Sequence, residues 1–187
     1  MIALIAKLYS HLFWFKGRAF RNGVRVYFLS KMLSYRLRRQ AKSTGENLLL
    51  RGKNSVTRHT VIGEGCVLNG IKVYGGAEVT IGNHVIIANG TIIQTQNHDY
   101  DTGCALPYGK GWTLKPVRID DCVWIGMNVM ILPGTHIGEG AVIQAGSVVH
   151  GEVPPLAIAG GNPAKVFAWR DKGHYDELKD KACYQMW

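Results

Sequence analysis

Long apolar runs are missing from this chain: none approaches the roughly 18 residues that a bilayer-spanning helix needs. Cysteine is sparse, and Cys66, Cys104, Cys122 and Cys183 show neither a CxxC pair nor a histidine-partnered metal spacing. That usage fits free thiols in a reducing compartment, with Cys66 as a small core residue, and no metal is expected. The N-terminus has no basic stretch ahead of its apolar residues and no A-x-A pattern, so a signal peptide is not expected and a cytoplasmic location is. At 187 residues the chain suits one domain and is short for two.

Carboxylates are nearly absent from the front. Residues 1–58 hold 13 Lys+Arg against Glu46 alone, whereas residues 59–187 hold 9 Lys+Arg against 12 Asp+Glu. The front is also apolar at helical spacing: Ile2, Ile5, Leu8, Leu12 and Phe15, then Val24, Phe28, Met32 and Tyr35, followed by Arg36, Arg38, Arg39 and Lys42. Two amphipathic helices broken near 17–23 are the simplest description. Residues 1–55 read as this basic helical segment. Three roles compete for it: a cap on the open end of the core, peripheral docking of residues 1–45 to an anionic membrane such as the inner face of the plasma membrane, and nucleic-acid binding. The last is set aside, because no nucleic-acid-binding module accompanies the charge.

What is abundant is a period. Ile119, Ile125, Ile131, Ile137, Ile143, Val149 and Pro155 return every sixth position. Neither a helix nor a simple strand makes that spacing; a β-solenoid does. The fifth position of each hexapeptide is small or β-branched: Val123, Val129, Thr135, Ala141, Ser147, Val153. Val56, Ile62 and Leu68 keep the same spacing, with Thr60 and Cys66 in the small slot. The register slips through 72–80 and resumes at Ile81, Ile87 and Ile93, with Val85 and Thr91 as small residues. Residues 97–114 leave the ladder and read as a loop extruded from the coil, the kind of excursion that carries function. Residues 56–168 are therefore expected to form the solenoid, three hexapeptides to a turn, and 169–187 a charged terminal helix whose plainest role is to cap its far end, contact with the cofactor or a neighbouring subunit being the alternatives.

The ladder, together with Asn97-His98-Asp99, Trp124-Ile125-Gly126, Leu132-Pro133-Gly134, Ala145-Gly146-Ser147 and Ala159-Gly160-Gly161-Asn162-Pro163-Ala164-Lys165, resembles the hexapeptide-repeat acyltransferases. Within them it is most similar to the acetyl-CoA-dependent O-acetyltransferases of sugars, lipopolysaccharide and capsule. The resemblance covers about residues 56–170. It implies a left-handed parallel β-helix, a homotrimer with active sites between neighbouring subunits, acetyl-CoA as co-substrate, a saccharide acceptor (a lipid-linked one included) and a role in surface polysaccharide biosynthesis.

Transfer of an acyl group from a thioester to a sugar hydroxyl needs a base, since an alcohol is a poor nucleophile until its proton is being removed. Histidine is the side chain tuned for that near neutral pH. His98 opens the extruded loop just after the Ile93 strand, and it matches the base of the resembled family. Asp99 or Asp101 is a candidate to orient the imidazole, as is a backbone carbonyl. The oxyanion donor is expected to be a backbone N–H of the neighbouring coil. Transfer is expected to be direct, without an acyl-enzyme. Tyr108, Lys110 and Trp112 give the loop a character suited to stacking on a sugar.

The remaining positions rest on the resemblance. It places Ala88 and Met127 beside the acyl end, Ala145, Gly146 and Ser147 along pantetheine, His150 near the nucleotide and Lys165 at its phosphates, where a cation is the natural partner. Asn69 corresponds to an acceptor-binding position, and Trp124 either to a wall of the acceptor or pantetheine tunnel or to a packed aromatic. Alternatives are N-acetylation of an amino sugar, acetylation of a xenobiotic, and a solenoid used only for binding or assembly. A zinc hydratase on the same solenoid needs three histidines, two of them five apart, and this chain has no His-x4-His pair.

Overall fold

In a strand, alternate side chains point the same way, so two or three residues suffice to turn one large aliphatic inward before the chain bends. Repeated, such bends give the fold seen in the computed structural model, which describes residues 30 and 32–185. The expectation of two helices in the front segment falls largely outside the described residues. The rest is a left-handed parallel β-helix of about six turns with three faces. The first face stacks Ser43–Thr44, Thr60–Ile62, Val79–Ile81, Val117–Ile119, His136–Ile137 and Glu152–Val153. The second stacks Leu49–Arg51, Val67–Asn69, Ile86–Ile87, Trp124–Ile125, Val142–Ile143 and Ala157–Gly161, and the antiparallel strand Ala164–Trp169 ends it. The third stacks Lys72–Tyr74, Ile92–Gln94, Met130–Ile131 and Val148–Val149.

The anchors sit directly above one another. Ile62, Ile81, Ile119 and Ile137 align on the first face; Leu50, Leu68, Ile87, Ile125 and Ile143 on the second; Val73, Ile93, Ile131 and Val149 on the third. All are buried. The small slots lie at the corners. There a hydroxyl is tolerated in a dry core because it bonds back to the carbonyl three residues earlier: Thr91 Oγ1 donates to Ala88 O (3.2 Å), Thr135 Oγ1 to Leu132 O (2.7 Å) and Ser147 Oγ to Gln144 O (2.6 Å). Just before the slot the backbone goes left-handed. At the corner between the first and second faces, Asn47, Gly65, His84, Cys122, Gly140 and Leu156 all have φ between +55° and +68°. For the non-glycine residues this conformation costs about 1–2 kcal/mol each.

The structure corrects three expectations. The coil begins near residue 43 rather than 56: Ser43–Thr44 and Leu49–Arg51 pair with the next turn, and Leu50 is buried, so the segment 1–55 is not wholly helical. Helix 32–40 precedes it, with Leu33, Leu37 and Ala41 packed on the core at that end. Pro155 is exposed and is no anchor. The corner at His150-Gly151 is shorter than those before it, so Val153 and Ala159 take the places beneath Ile137 and Ile143. Finally, the helix Lys172–Asp180 does not cap the far end. It lies against the first–second corner, where the Tyr175 hydroxyl donates to Glu139 (2.9 Å), Lys179 pairs with Glu139, and Arg170 donates to Gly140 O (3.2 Å). At the far end the hairpin of Ala157–Gly161 and Ala164–Trp169 extends the second face, with Ala164 packed on the core.

Residues 97–114 leave the coil at the corner between the third and first faces, and their stems close as an antiparallel pair, Gln96–His98 with Trp112–Leu114. Ile131, wholly buried at mid-coil, has no room to be replaced by neighbours. Ile131→Ala is expected to cost about 2–5 kcal/mol in thermal or denaturant unfolding. Burial pushes the Cys66 thiol up to about 11. Its neutral form is therefore favoured by folding. The native state is expected to lose stability as pH rises from the ordinary thiol range, about 8.5, towards 11. A Cys66→Ala variant is expected to remove that part of the alkaline slope in urea unfolding.

Candidate active site

The hairpin is built around its histidine. His98 and Trp112 are directly opposed across the two stems, and the rings meet at 4.0 Å between centroids. Tyr108 folds back from the loop onto the imidazole, at 3.8 Å and 17° from parallel. Each such ring contact contributes about 0.5–1.5 kcal/mol beyond its burial, so the imidazole plane is set by stacking on Tyr108 and by the tilted contact with Trp112, 32° from parallel. Among the described residues no side chain hydrogen-bonds to this ring. The half-buried histidine thus presents its ring nitrogens at the edge of an aromatic platform.

Asp99 does not orient it. Its carboxylate accepts from Thr102 Oγ1 (2.7 Å) and Thr102 N (2.9 Å), and its backbone carbonyl accepts from Gly109 N (2.8 Å). The Thr102 hydroxyl, then the Thr102 amide, hold the carboxyl below its ordinary range. Asp99 is a brace that closes the loop on itself. Asp101 is exposed and makes no bond to His98. The carboxylate–imidazole pair, one of the two arrangements open from sequence, is absent because the loop needs the Asp99 carboxylate as its own turn cap.

A second set of candidates lines the corner between the second and third faces. Ala88, Met127, Ala145 and Gly146 follow one another there coil by coil: Ala88 N donates to Ile125 O (2.9 Å) and Gly146 N to Met127 O (2.8 Å). Neither Met127 N nor Ala145 N donates to a protein acceptor among the described residues. Gly126 makes this exposure possible. A Cβ there would stand 2.6 Å from Ala145 N, and one at Gly160 would stand 2.3 Å from the Gln144 side chain. Gly126 and Gly160 were not singled out from sequence, although the Trp-Ile-Gly and Gly-Gly motifs contain them. Lys165 is exposed in the hairpin turn beside Gly160, on the same corner.

Other expected residues fall elsewhere. Ser147 is wholly buried, its hydroxyl bonded to Gln144 O and accepting from Gly161 N (3.2 Å), so its side chain braces the corner from inside. Asn69 also turns inward: Nδ2 donates to Ile87 O (3.3 Å), and Oδ1 is buried without a partner. His150 is exposed at the opposite edge of the third face from Gly146, on the corner that carries the hairpin. Trp124 is half exposed on the second face, between Ile86 and Val142. It lines a groove of about 420 Å³ against Tyr175, Leu178 and Tyr184 of the C-terminal segment. Within one chain, then, His98 with Tyr108 and Trp112 occupies one edge of the third face, and the amide-lined corner occupies the other.

Comparison with known proteins places this geometry. Residues 116–151 match the family model of bacterial transferase hexapeptides (six repeats). A galactoside O-acetyltransferase of Escherichia coli is 37% identical over 100 residues, which are 52% of this chain and 48% of that protein. The chain spans about half the length of the curated relatives it matches. Among solved structures, a hexapeptide-repeat acetyltransferase of Vibrio cholerae superimposes with a TM-score of 0.68 at 31% identity, over 76% of this chain and 82% of that one. A galactoside acetyltransferase in complex with coenzyme A gives 0.62 at 25% identity, over 81% and 82%. With the six-turn coil, the extruded hairpin and a match over most of a solved relative, the chain belongs to the hexapeptide-repeat acetyltransferases.

Proposed function

We propose that this protein is an acetyl-CoA-dependent O-acetyltransferase acting on a sugar hydroxyl, with His98 as general base, in the making of a surface polysaccharide. The observation that carries the reading is the imidazole stacked on Tyr108 and held against Trp112 on a hairpin outside the coil. A sugar presents an apolar ring face and a rim of hydroxyls. Aromatic side chains beside a basic nitrogen match both at once. The likeness to a galactoside acetyltransferase that binds coenzyme A supports the same chemistry.

In this reading the acceptor hydroxyl donates its proton to a His98 ring nitrogen as its oxygen attacks the thioester carbonyl. The C–O bond forms and the carbonyl oxygen becomes an oxyanion, which the free N–H of Met127 or Ala145 stabilises. The intermediate then collapses with cleavage of the C–S bond. The imidazolium returns the proton to the departing thiolate, giving the acetyl ester and free coenzyme A. Gly146, bounded by open space, leaves the pantetheine arm room along the corner, and Lys165 meets the nucleotide phosphates.

Because the base and the amide-lined corner lie on opposite edges of one face, each site needs edges from two copies. We therefore read the enzyme as a homotrimer with its sites between protomers. The hairpin supports this reading: Leu106 is 96% exposed at its tip, and Tyr100 and Leu114 are more than half exposed. Side chains of that kind are expected to rest on a neighbour.

Acceptor-dependent release of thiol from acetyl-CoA, measured over a panel of sugars and bacterial polysaccharides, tests the activity. His98→Ala is expected to lower kcat by about 10²–10⁴-fold with the fold intact, and an unchanged rate removes the base. Trp112→Ala is expected to raise KM for the acceptor more than for acetyl-CoA. The shared site has its own test. His98→Ala and Ala145→Trp, each inactive alone, are expected to regain activity when co-assembled, because mixed oligomers contain one intact pairing of edges. Failure of mixed oligomers to recover activity places the whole site within one chain.

A further inference from the structure

The N-terminal end of the coil combines exposed apolar side chains with cations that have no carboxylate partner among the described residues. Helix 32–40 lies over it with Leu33 and Leu37 turned to the core, which leaves Met32, Tyr35, Arg36 and Arg39 on the outer side at i, i+3, i+4 and i+7 spacing. Met32 is 55% and Tyr35 64% exposed. Lys53 and Arg58 stand exposed at two corners of the first turn, on the same end. Arg38 pairs with Glu46 (3.1 Å) and Lys42 with Glu78 (2.6 Å), whereas Arg36, Arg39, Lys53 and Arg58 meet no carboxylate among the described residues. The bias runs through the sequence: Glu46 is the one acidic residue among the first 58, against 13 Lys+Arg, while the remainder of the chain is net acidic.

We propose that this end is a docking surface for an anionic lipid membrane. A helix that shows methionine and tyrosine between arginines suits the interface, where apolar groups sink to headgroup depth while guanidinium groups meet phosphates. Cations without carboxylate partners keep their full charge for that encounter, and their attraction for acidic lipid falls with salt. Docking through the end stands the coil upright on the bilayer and leaves the three faces and the hairpin free. Among the described residues no helix is long and apolar enough to cross a membrane. Cyclic symmetry in the proposed trimer sets all three ends on the same side, so weak single contacts combine. The lipid contact itself does not depend on the acetyltransferase reading.

Flotation of the full-length protein with phosphatidylcholine vesicles, with and without phosphatidylglycerol, tests the surface without an enzymatic readout. The protein is expected to float with the anionic vesicles at low salt, to be released at high salt, and to stay behind with neutral ones. The double variant Arg36→Glu/Arg39→Glu is expected to lose at least about tenfold in affinity for the anionic vesicles, while Lys181→Glu, at a distant helix, keeps it. Tyr35→Ser, which keeps the charge, is expected to weaken binding and make it more salt-sensitive. Matching thermal unfolding of the variants shows that the fold persists. Equal flotation on neutral vesicles, or anionic binding untouched by the arginine reversals, overturns the proposal. So does retention of a short RNA at salt where anionic vesicles are not bound, which assigns the surface to nucleic acid instead.

Discussion

Register between coils is the constraint from which the rest follows. Each inward aliphatic rests on the one above, and along the strands the backbone amides bond to the adjacent turn, so no strand can shift without opening both the core and the ladder. Extra or missing residues are confined to corners. The hairpin shows how completely this works. Although it adds a long excursion between two turns, Ile81 still meets Ile119, Ile87 meets Ile125 and Ile93 meets Ile131. An insertion that leaves three faces in register can vary without endangering the fold. A rigid coil thus carries a hairpin whose own bonds, from Asp99 to Thr102 and from His98 to its two aromatics, fix the imaginable positions of one imidazole.

The same constraint explains the bare amides at the second–third corner. In a parallel ladder almost every inner N–H is taken by the preceding or following turn. Only corner residues can escape, and there Gly126 and Gly160 remove the Cβ atoms that would stand against the next coil. A groove lined by backbone is the result, with Ser147 bracing it from within. Polar recognition on this scaffold is therefore a property of corners, while the faces between them keep a fixed pattern.

The ladder was legible because a six-residue period has few explanations. Its limits were less so. Thr44 and Leu50 continue the count backward from Val56, but Thr44 is polar and the flanks are basic, and both features suit a surface helix as well as a first turn. At the other end, the period runs on to Pro155 in the sequence while the chain has already shortened a corner at His150-Gly151. A proline in an anchor position was the signal that the count had ended. For the site, His98 stood out as a candidate by its type and its place at the start of the loop, whereas the corner residues were named by the resemblance alone. The use of the Asp99 carboxylate could not be read, since an acidic residue beside a histidine is equally suited to bracing a turn. Asn69 and Ser147 show a related limit: a polar residue in the repeat can spend its hydrogen bonds inward, and only coordinates reveal the direction.

The outer faces of the coil differ in a way that bears on assembly. The outward row of the first face is largely polar, running Thr80, Arg118, His136 and Glu152 through the register pairs. There Asp120 is pushed up by partial burial, but hydrogen bonds from His136 (2.8 Å) and Arg118 (2.6 Å) more than offset this and leave it below its ordinary value. Such a network is made for water. The second face instead turns Ile86, Trp124, Val142 and Ile158 outward, and the third Ile92, Met130 and Val148. The C-terminal helix shelters part of the second face, while nothing in the described chain crosses the third. A ring of identical copies joins two different surfaces of each, and a coil with one wet face and two apolar ones supplies such a pair. The edges of the third face are also the edges that carry His98 and the bare amides, so the trimer proposed above, in packing this face on a neighbour, would bury it and join the two edges in one step.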